Sequence, residues 1–395
     1  MEWKPKAANL DEIQRQIIRD CVNGIQNSGE VFQIPWISGF AGNGKSVVLV
    51  HIMEQLADLD NKASIAFITY THALKDLIAT SILTRFKTRI TVQTHTNFIN
   101  EKLSYDYVFV DEVQDISENH LQKIRDLSGG LVLAGDFAQS IYPDNKPITP
   151  NKLKSSFNVV EHRLLKMYRL TKRLADIVIK LLPAGLFTMG EPNPLSEEVP
   201  PRLYKFPREN EQFKWVWENA VSYSQPRSPS VILFPFHKDI ESFVDFVSTS
   251  EGFGHAPRRA SYKKGQGRVD PYQEINEFFL EKDLRALLQV LGNGSGSSAI
   301  SISSSRKVVF LMTYHSAKGL DFDTVFVPSL DSGKKLYPGR DMLNQDSDIE
   351  NKLLFVALTR SKKFLFMSYV GDKPHDLIQV LNIQVTQQNL QENTY

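Results

Sequence analysis

The sequence predicts an α/β protein built on mainly parallel β-sheets, and three observations support this fold class. Helix-like and strand-like segments alternate through the first third of the chain, several apolar runs end on carboxylates, and a phosphate-binding motif joins a strand pattern to a helix pattern. Parallel strands need crossover connections, which the alternating helices supply. The chain has 395 residues, more than one core of about 100 to 200 residues accommodates. We therefore expect two domains.

The composition is that of an ordinary folded protein. Hydrophobic residues make up 42% and charged residues 23% of the chain, which excludes a wholly disordered, collagen-like or coiled-coil protein. Lys and Arg number 46 against 45 Asp and Glu, so any surface for nucleic acid must be local. The single cysteine, Cys21, excludes an intramolecular disulfide and suits a reducing compartment. Without a secretory signal or an apolar run of about 18 residues, we expect a cytoplasmic protein with no membrane segment.

The elements of the first half follow in a regular order. An amphipathic helix pattern from Leu10 to Ile25 precedes apolar VFQIPWIS, helix-like VVLVHIMEQLADL and apolar SIAFITY. The runs DYVFVDE and GLVLAGD end on carboxylates, where parallel sheets usually place ligand-contacting residues. A helical pattern returns from Ser155 to Lys180, before the proline-rich connection EPNPLSEEVPP. We expect the first domain to span residues 1–160.

The second half restarts with apolar SVILFPF and helix-like IESFVDFVS. A stretch rich in glycine, proline and basic residues follows, with no acidic residue between its basic positions Arg258, Arg259, Lys263, Lys264 and Arg268. Helix-like EKDLRALLQVL precedes the flexible connector GNGSGSSAISISSS. Strand patterns resume at KVVFLMTY, TVFVPSL and KFLFMSY. We expect a second domain over residues 161–395, with a reduced insertion around 250–305 and a flexible C-terminal tail.

The segment GFAGNGKS matches the phosphate-loop pattern GxxxxGK[ST] and lies between apolar IPWIS and an apolar helix pattern. In such loops backbone N–H groups surround the phosphates, the lysine neutralises the β- and γ-phosphates, and the hydroxyl ligates Mg²⁺. The nucleotide-binding residues expected here are Gly39, Ala41, Gly42, Asn43, Gly44, Lys45, Ser46 and Val47. Asp111 is expected to hold Mg²⁺ together with Ser46, and Glu112 to polarise the attacking water. The pair indicates ATP hydrolysis, although a kinase or a regulatory GTPase would use the same loop.

Eight ordered motifs between Leu10 and Tyr369 resemble those of superfamily 1 DNA helicases of the UvrD/Rep/PcrA type. The first four are LDEIQ for the Q-motif, FITYTHALKDL for TFTNKAA, VQTHTNF for TxHSF and DEVQD for DExQD. The other four are GDFAQSIY for GDxxQSIY, LKMYRLTKRLADI for NYRS, HSAKGLDFDTVFV for HSAKGLEF and ENKLLFVALTRSKKFLFMSY for EERRLxYVAxTRA. The resemblance implies two RecA-like lobes with mainly parallel sheets and with ATP and Mg²⁺ in the cleft between them.

The resemblance also gives roles to the matching residues that act on ATP. Gln14 would read the adenine base, and Gln139 would contact the γ-phosphate and report hydrolysis to the nucleic-acid site. Arg169 and Arg360 would act as arginine fingers on the γ-phosphate, and the alternative for both is structural pairing with nearby acids. Asp321 stands where the family has a glutamate that contacts the ribose, so the shorter side chain weakens this contact.

Two further sets of residues carry expectations. The resemblance assigns contacts with single-stranded nucleic acid to Thr69, Tyr70, Thr94, His95, Tyr142 and His315. For the two tyrosines, packing in a hydrophobic core is the alternative. Glu350 matches an acid of the family, or else pairs with Lys352 or Arg360.

The sequence also departs from the family pattern. Only about a dozen residues separate Phe98 from Asp111, so the accessory domain that the family inserts before DExQD is absent. The Gly/Ser connector between Leu291 and Val308 occupies the place where a second insertion would begin. After QSIY the chain continues as PDNKPIT, where the family has an aromatic residue and RGA. We therefore expect a compact two-lobe motor that lacks one stacking platform.

These observations predict ATP-dependent translocation along single-stranded DNA, 3′ to 5′ by resemblance. Efficient unwinding would need a partner protein such as a nuclease or a loading factor, and the sequence leaves RNA open as a substrate. The alternative is a nucleic-acid-stimulated ATPase that acts as a sensor or regulatory subunit of a partner enzyme without processive unwinding. A third hypothesis, an NTPase unrelated to nucleic acid, is disfavoured by the motifs around Arg169 and Arg360.

Overall fold

Among the residues that the structure describes, each of the two units contains one six-stranded parallel β-sheet. The structure is a computed structural model that describes residues 4–26, 33–142, 146–168, 170–182, 191–192, 199–261, 270–292, 305–337 and 348–386. The first unit comprises Met1–Arg169 with Gly185–Asn193, and the second comprises Leu170–Ala184 with Pro194–Tyr395. In the described residues each unit has a six-stranded sheet whose strands are all parallel. The prediction of two RecA-like lobes with mainly parallel sheets is confirmed.

The first unit alternates strands and helices along the chain. Its strands are β1 (Ile34–Gly39), β2 (Ile65–Thr69), β3 (Ile90–Thr94), β4 (Tyr105–Val110), β5 (Ser128–Gly135) and β6 (Val159–Leu164). Its helices are α1 (Glu12–Gln26), α2 (Lys45–Leu59), α3 (His72–Ser81), α4 (His95–Glu101), α5 (Glu118–Asp126) and α6 (Pro150–Phe157). The strand order is β3-β2-β4-β5-β1-β6. Because all pairs are parallel, the carboxyl ends of the strands lie along one edge of this sheet.

Both faces of the first sheet are buried. Phe67 of β2 and Phe109 of β4 pack in a core with α1 and α2, whereas their neighbours Ile68 and Val108 pack in a second core with α4, α5 and α6. This alternation follows from the two-residue period of strand side chains. Burial on both sides explains why these strands are continuous apolar runs in the sequence.

Threonine and serine caps fix where several helices of the first unit begin. The side chains of Thr71, Thr94, Ser117 and Thr149 precede α3, α4, α5 and α6, and each accepts a hydrogen bond from a backbone N–H of the first turn. The connection from α4 to β4 consists of residues 102–104 only. No domain is inserted there, as the sequence predicts.

The expected boundary at residue 160 requires a correction. Residue 160 lies inside β6, which pairs with β1 from Val159 to Leu164, so a division there would cut a strand out of the first sheet. The helical pattern expected from Ser155 to Lys180 contains β6 and also β7 (Lys166–Met167), which pairs with β8 (Glu191–Pro192). The pairing of β6 with β1 determines the structure of residues 159–164, although the local sequence has a helical periodicity. The first unit therefore continues to Arg169.

The second unit has its own alternation of strands and helices. Its strands are β9 (Arg202–Phe206), β10 (Ser230–Phe234), β11 (Leu287–Leu291), β12 (Val308–Thr313), β13 (Phe322–Val327) and β14 (Ser361–Val370). Its helices are α7 (Lys172–Val178), α8 (Glu209–Tyr223), α9 (His237–Ser250), α10 (Gln273–Leu280), α11 (Ile349–Leu358) and α12 (Asp376–Leu381). The strand order is β11-β12-β10-β13-β14-β9.

The region expected to be a reduced insertion contributes to the core of the second unit. The helix expected over EKDLRALLQVL is wrong, because the last five residues of this segment form strand β11, which pairs with β12. The Asn276 side chain donates to Val290 O (3.0 Å) and accepts from Val290 N (2.7 Å), so it satisfies both backbone groups of Val290. This side chain stands where a neighbouring strand would pair, because β11 is an edge strand. The tail beyond residue 386 and the Gly/Ser connector at 293–304 lie outside the described residues.

Among the residues described, none of the helices combines the length and the apolar character that a membrane crossing requires.

Candidate nucleotide and nucleic-acid site

The phosphate loop joins β1 to α2 and is tied to its surroundings at several points. Gly42 and Gly44 have φ of 80° and 81°, which favours glycine at both positions. Gly39 approaches β6 so closely that a Cβ would lie 2.9 Å from Leu164 O. Asn43 Nδ2 donates to the same carbonyl (2.6 Å). Lys45 Nζ donates to Gly39 O and Phe40 O, both at 2.9 Å, so the ammonium group lies inside the loop.

The two carboxylates expected to serve hydrolysis follow β4. Asp111 is completely buried, its Oδ2 accepts from Ser46 Oγ, and its Oδ1 accepts from Glu112 N (2.9 Å). Burial, together with the adjacent Glu112 carboxylate, raises the pKa of Asp111 to about 7, although Ser46 and Lys45 oppose this shift. Within the described residues, no cluster of three His, Cys, Asp or Glu side chains is placed to hold a metal. The Ser46 and Asp111 oxygens fit Mg²⁺, which takes few protein ligands and completes its shell with water and phosphate.

A chain of side-chain contacts links Glu112 to the segment after β5. Gln114 Nε2 donates to Glu112 Oε2, while Gln114 Oε1 accepts from Asp136 N (3.0 Å). Asp136 Oδ2 in turn accepts from Gln139 Nε2 (2.7 Å). Burial raises the pKa of Asp136, and the nearby Lys45 charge opposes the shift. Gln114 and Asp136 were not among the predicted site residues, although both belong to motifs recognised in the sequence.

Gln14 lies at the start of α1 and contacts the phosphate loop. It is almost fully buried, and its Nε2 lies 2.8 Å from the point that a Cβ on Gly44 would occupy. Two unpredicted residues accompany it. The Tyr168 hydroxyl donates to Asp11 Oδ2, and Tyr168 N donates to Gly42 O (3.0 Å). Both residues are sequence neighbours of predicted ones, since Asp11 lies in LDEIQ and Tyr168 precedes Arg169.

Four aromatic rings lie in a row beside the carboxyl ends of β2 and β3. Tyr142 stacks on Tyr70 with centroids 4.3 Å apart, Tyr70 stacks on His95 at 5.0 Å, and His95 contacts His120 at 5.7 Å. All four residues are partly exposed, so the two tyrosines are not core residues. His120, on α5, was not predicted, and no motif of the sequence indicated it. Burial, with His120 nearby, lowers the pKa of His95 to about 4, so this ring is uncharged at neutral pH.

The two predicted threonines end the same two strands. Thr69 Oγ1 is buried without a hydrogen-bond partner among the described residues. The Thr94 side chain accepts from Asn97 N (3.4 Å) and caps α4. Thr94 therefore has a structural role whatever it contacts in addition.

The predicted residues of the second unit have partners within that unit. Arg360 is 2% exposed, and its guanidinium donates to Val356 O (2.9 Å), Leu320 O (3.0 Å) and Thr359 Oγ1 (3.1 Å). Lys362 Nζ lies 3.6 Å from Asp321 Oδ1. His315 is partly buried and lies two residues after the end of β12.

Glu350 contacts a loop of the second unit. Its Oε1 accepts from Leu336 N (2.7 Å) and Tyr337 N (3.2 Å). These backbone contacts give Glu350 a role that the expected pairing with Lys352 or Arg360 did not include.

Part of the predicted set falls outside the described residues, namely Arg169, Lys263, Lys264 and Arg268. Of the remaining basic residues, Arg258 is exposed, whereas Arg259 pairs with Glu241 at 3.2 Å. The positive charge of this stretch is therefore partly neutralised within the fold.

Comparisons with known proteins show that parts of the chain are similar to helicases. Residues 235–372 match the UvrD-like helicase C-terminal domain, and residues 29–144 match an AAA domain. DNA helicase II of Rickettsia typhi is 29% identical over 136 residues (33% of this chain, 18% of the relative), and PcrA of Staphylococcus aureus is 25% identical over 145 (34% and 20%). The RecBCD subunit RecB of Chlamydia muridarum is 33% identical over 110 residues (25% and 10%). The matched part of the chain spans a fifth or less of each of these relatives.

Proposed function

Because the chain belongs to the superfamily 1 helicases of the UvrD/Rep/PcrA type, we propose that it hydrolyses ATP with Mg²⁺ to move along single-stranded DNA. The phosphate loop and the Ser46–Asp111 pair hold the nucleotide and the metal in this proposal. Glu112 polarises the attacking water, and Mg²⁺ held by Ser46 and Asp111 would supply neutralisation of the phosphate charge. Arg169 and Arg360 act as arginine fingers on the γ-phosphate.

One observation carries this proposal, namely the position of two groups of residues along one sheet edge. The nucleotide group lies at the ends of β1, β4 and β5, and the aromatic row lies beside the ends of β2 and β3. The short segment from Asp136 to Tyr142 connects the two groups. Gln139 Nε2 donates to Asp136 Oδ2, and Tyr142, three residues after Gln139 in the chain, belongs to the aromatic row. Loss of the γ-phosphate can shift Gln139, and this shift reaches the ring that stacks on Tyr70. Aromatic rings suit nucleic acid, because bases stack on them irrespective of sequence.

The finer features rest on the family resemblance. They are movement in the 3′ to 5′ direction, a preference for DNA over RNA, and a cytoplasmic location, which the single cysteine also favours. A partner protein supports unwinding. Asp321 contacts the ribose, and Thr69, Thr94, His95 and His315 contact the backbone of the nucleic acid.

A second candidate function is a nucleic-acid-stimulated ATPase that serves as a regulatory subunit of a partner enzyme. Two observations favour it. The connection between α4 and β4 holds no inserted domain, and one relative is named as a subunit of the RecBCD enzyme. In this case hydrolysis on single-stranded DNA would change the state of the partner, and processive movement would not occur.

The deciding experiment measures ATP turnover with single- and double-stranded DNA and RNA, and then displacement of streptavidin from biotin at either end of a single strand. We expect stimulation by single-stranded DNA and faster displacement from the 5′ end, towards which a 3′ to 5′ motor moves. Stimulation without displacement at either end would support the regulatory ATPase. The absence of stimulation by any nucleic acid would contradict both candidates.

A further inference from the structure

His120 forms one end of the aromatic row, on the side of α5. Its ring centroid lies 5.7 Å from that of His95, and among the described residues His120 contacts no other ring. The His95 ring in turn stacks on Tyr70 at 5.0 Å. A base that approaches the row from the side of α5 therefore meets His120 before it meets His95.

His95 offers no positive charge to nucleic acid. Its pKa is lowered to about 4 by burial and by the nearby His120, so the ring is uncharged at neutral pH. Its Nδ1 is buried without a partner among the described residues, and its Nε2 lies 3.3 Å from Thr96 Oγ1. Any contact of His95 with the nucleic-acid backbone is therefore that of a neutral group, and the ring supports its two neighbours in the row.

His120 presents an accessible ring on a fixed backbone. The side chain is partly exposed, and within the described part of the chain its ring nitrogens have no hydrogen-bond partner. The His120 backbone N–H donates to Ser117 Oγ (3.3 Å), which caps the start of α5. The helix therefore holds the ring at the end of the row, where it can receive a planar group.

The surroundings of His120 admit an anionic strand. Helix α4 packs against α5, and the connection from α4 to β4 at residues 102–104 holds no inserted domain that could cover this side. The Glu118 carboxylate, two residues before His120, pairs with Lys152 Nζ (3.4 Å) and accepts from Ser156 Oγ (3.2 Å). Because this charge is paired, it repels an approaching phosphate group less.

We propose that His120 stacks on an unpaired nucleobase of the bound single strand and extends the nucleic-acid site onto α5. Every base has a π-face, so a ring accepts any unpaired nucleobase. The inference rests on the proposed function, because it concerns the same single strand. It adds a fourth ring to a site without the aromatic residue that the family has after QSIY, where this chain continues as PDNKPIT.

Substitution of His120 measures the contribution of its ring. We expect His120→Ala to weaken binding of a short oligothymidylate by about fivefold to 150-fold, the range of one base stack. His120→Phe keeps a ring and should bind as the wild type does. Asn119→Ala changes an exposed neighbour on α5 and is the matched control, with wild-type affinity expected. Fluorescence anisotropy gives the Kd values, and thermal unfolding is followed for each variant.

An oligothymidylate with one abasic site separates stacking from a structural effect. The probe is the shortest oligothymidylate that binds with full affinity, which restricts its register, and the abasic site is placed at each position in turn. At one position the abasic site should cost the wild type as much affinity as His120→Ala does. The same position should cost His120→Ala nothing further, because the base and the ring form one contact. In His120→Phe the cost should return.

Two results would overturn the proposal. One is equal affinity of His120→Ala and the wild type. The other is a lower melting temperature of His120→Ala with the same loss of affinity for every abasic position, because His120 would then only support the fold. Failure of the proposed function has a different signature. If the abasic effect depends on His120 and single-stranded DNA does not stimulate hydrolysis, the motor function is refuted and the assignment of His120 holds.

Discussion

Lys45 and Glu112 both serve ATP hydrolysis, and their substitution should affect different steps. Lys45→Ala removes the ammonium that offsets the phosphate charge, so we expect no measurable nucleotide binding or turnover. Glu112→Gln keeps an oxygen that accepts from Gln114 and loses the charge that polarises water, so we expect ATP binding with slow hydrolysis. Equilibrium ATP binding and single-turnover hydrolysis measure the two steps. Wild-type hydrolysis by Glu112→Gln would refute the role of Glu112 as the base.

Arg360 needs a test that separates catalysis from stability. The side chain is buried and donates to two backbone carbonyls of the second unit. Arg360→Ala leaves these carbonyls without their donor, so we expect a lower melting temperature. As an arginine finger, Arg360 should also contribute a factor of about 10³ or more to kcat.

The comparison with Arg360→Lys decides between the two roles. Lysine keeps the charge and lacks the planar guanidinium. We expect both variants to show the loss in kcat per folded molecule, with ATP affinity changed much less. A melting temperature that falls while kcat per folded molecule stays at the wild-type value would show that Arg360 is structural.

At the scale of elements, the turn after β4 and the end of β5 are in close contact. A Cβ on Gly135 would lie 2.8 Å from Val113 Cγ1 and would overlap Gln114 Oε1. Gly135→Ala should therefore displace the side chain that connects Glu112 to Asp136. We expect hydrolysis to fall by about tenfold to hundredfold, the scale of a small misplacement of a catalytic group, with ATP binding retained.

Gly24 in α1 provides the matched control for Gly135. Nothing lies within 4 Å of its ideal Cβ position. Gly24→Ala should raise the free energy of unfolding by about 0.5 to 1 kcal/mol, because alanine suits a helix interior better than glycine. Its hydrolysis rate should equal that of the wild type. Equal rates for Gly135→Ala and Gly24→Ala would show that the turn tolerates the added methyl.

The aromatic row joins rings from four separate segments, and the contribution of its two tyrosines to DNA binding can be measured. We expect Tyr70→Ala and Tyr142→Ala each to weaken single-stranded DNA binding by about 1 to 3 kcal/mol, the scale of one base stack. The double variant should lose less than the sum, because the two rings stack on each other. Tyr70→Phe and Tyr142→Phe keep the rings and should bind normally. A loss of thermal stability in the alanine variants without a change in DNA affinity would contradict the assignment.

The sequence predicted the elements whose signal is local. Asp111 follows a buried apolar run and Lys45 follows a glycine loop, so both positions could be inferred from a few neighbouring residues. Contacts between distant residues had no such signal: the hydrogen bond from Tyr168 to Asp11 spans 157 positions. The helical pattern over β11 failed for a related reason. Strand pairing with β12 and the amide of Asn276 determine that segment, and both are tertiary contacts.

At the scale of the whole molecule, the organisation of the chain bears on duplex unwinding. In the family that the chain resembles, inserted domains contact the duplex ahead of the motor. Here residues 102–104 alone connect α4 to β4, and residues 292–307 connect β11 to β12. Translocation requires a nucleotide site and residues that bind single-stranded DNA. In this proposal the phosphate loop supplies the first and the aromatic row supplies the second. Unwinding additionally requires an element that keeps the separated strands apart.

We therefore predict that this chain alone hydrolyses ATP on single-stranded DNA and unwinds forked duplexes weakly. Each step must melt base pairs against about 1.4 kcal/mol of stacking, and no inserted domain before the DEVQD turn opposes reannealing. A partner protein that binds the released strand should increase unwinding and leave the single-strand ATPase unchanged. A fork-unwinding assay with and without a single-strand trap measures this. Efficient, processive unwinding by the chain alone would refute the need for a partner.

The basic stretch from Arg258 to Arg268 is the internal candidate for contact with the duplex. Its first two residues differ in their surroundings. Arg259 pairs with Glu241, whereas Arg258 is exposed. Serine at Arg258, Lys263, Lys264 and Arg268 should therefore reduce fork unwinding and its salt dependence, because fewer phosphate contacts release fewer counterions. Arg259→Ser is the control and should change fork unwinding less than the fourfold variant does. The single-strand ATPase should stay at the wild-type level in both variants. If the fourfold variant unwinds forks as the wild type does, this stretch has no part in the mechanism and the duplex contact must come from a partner.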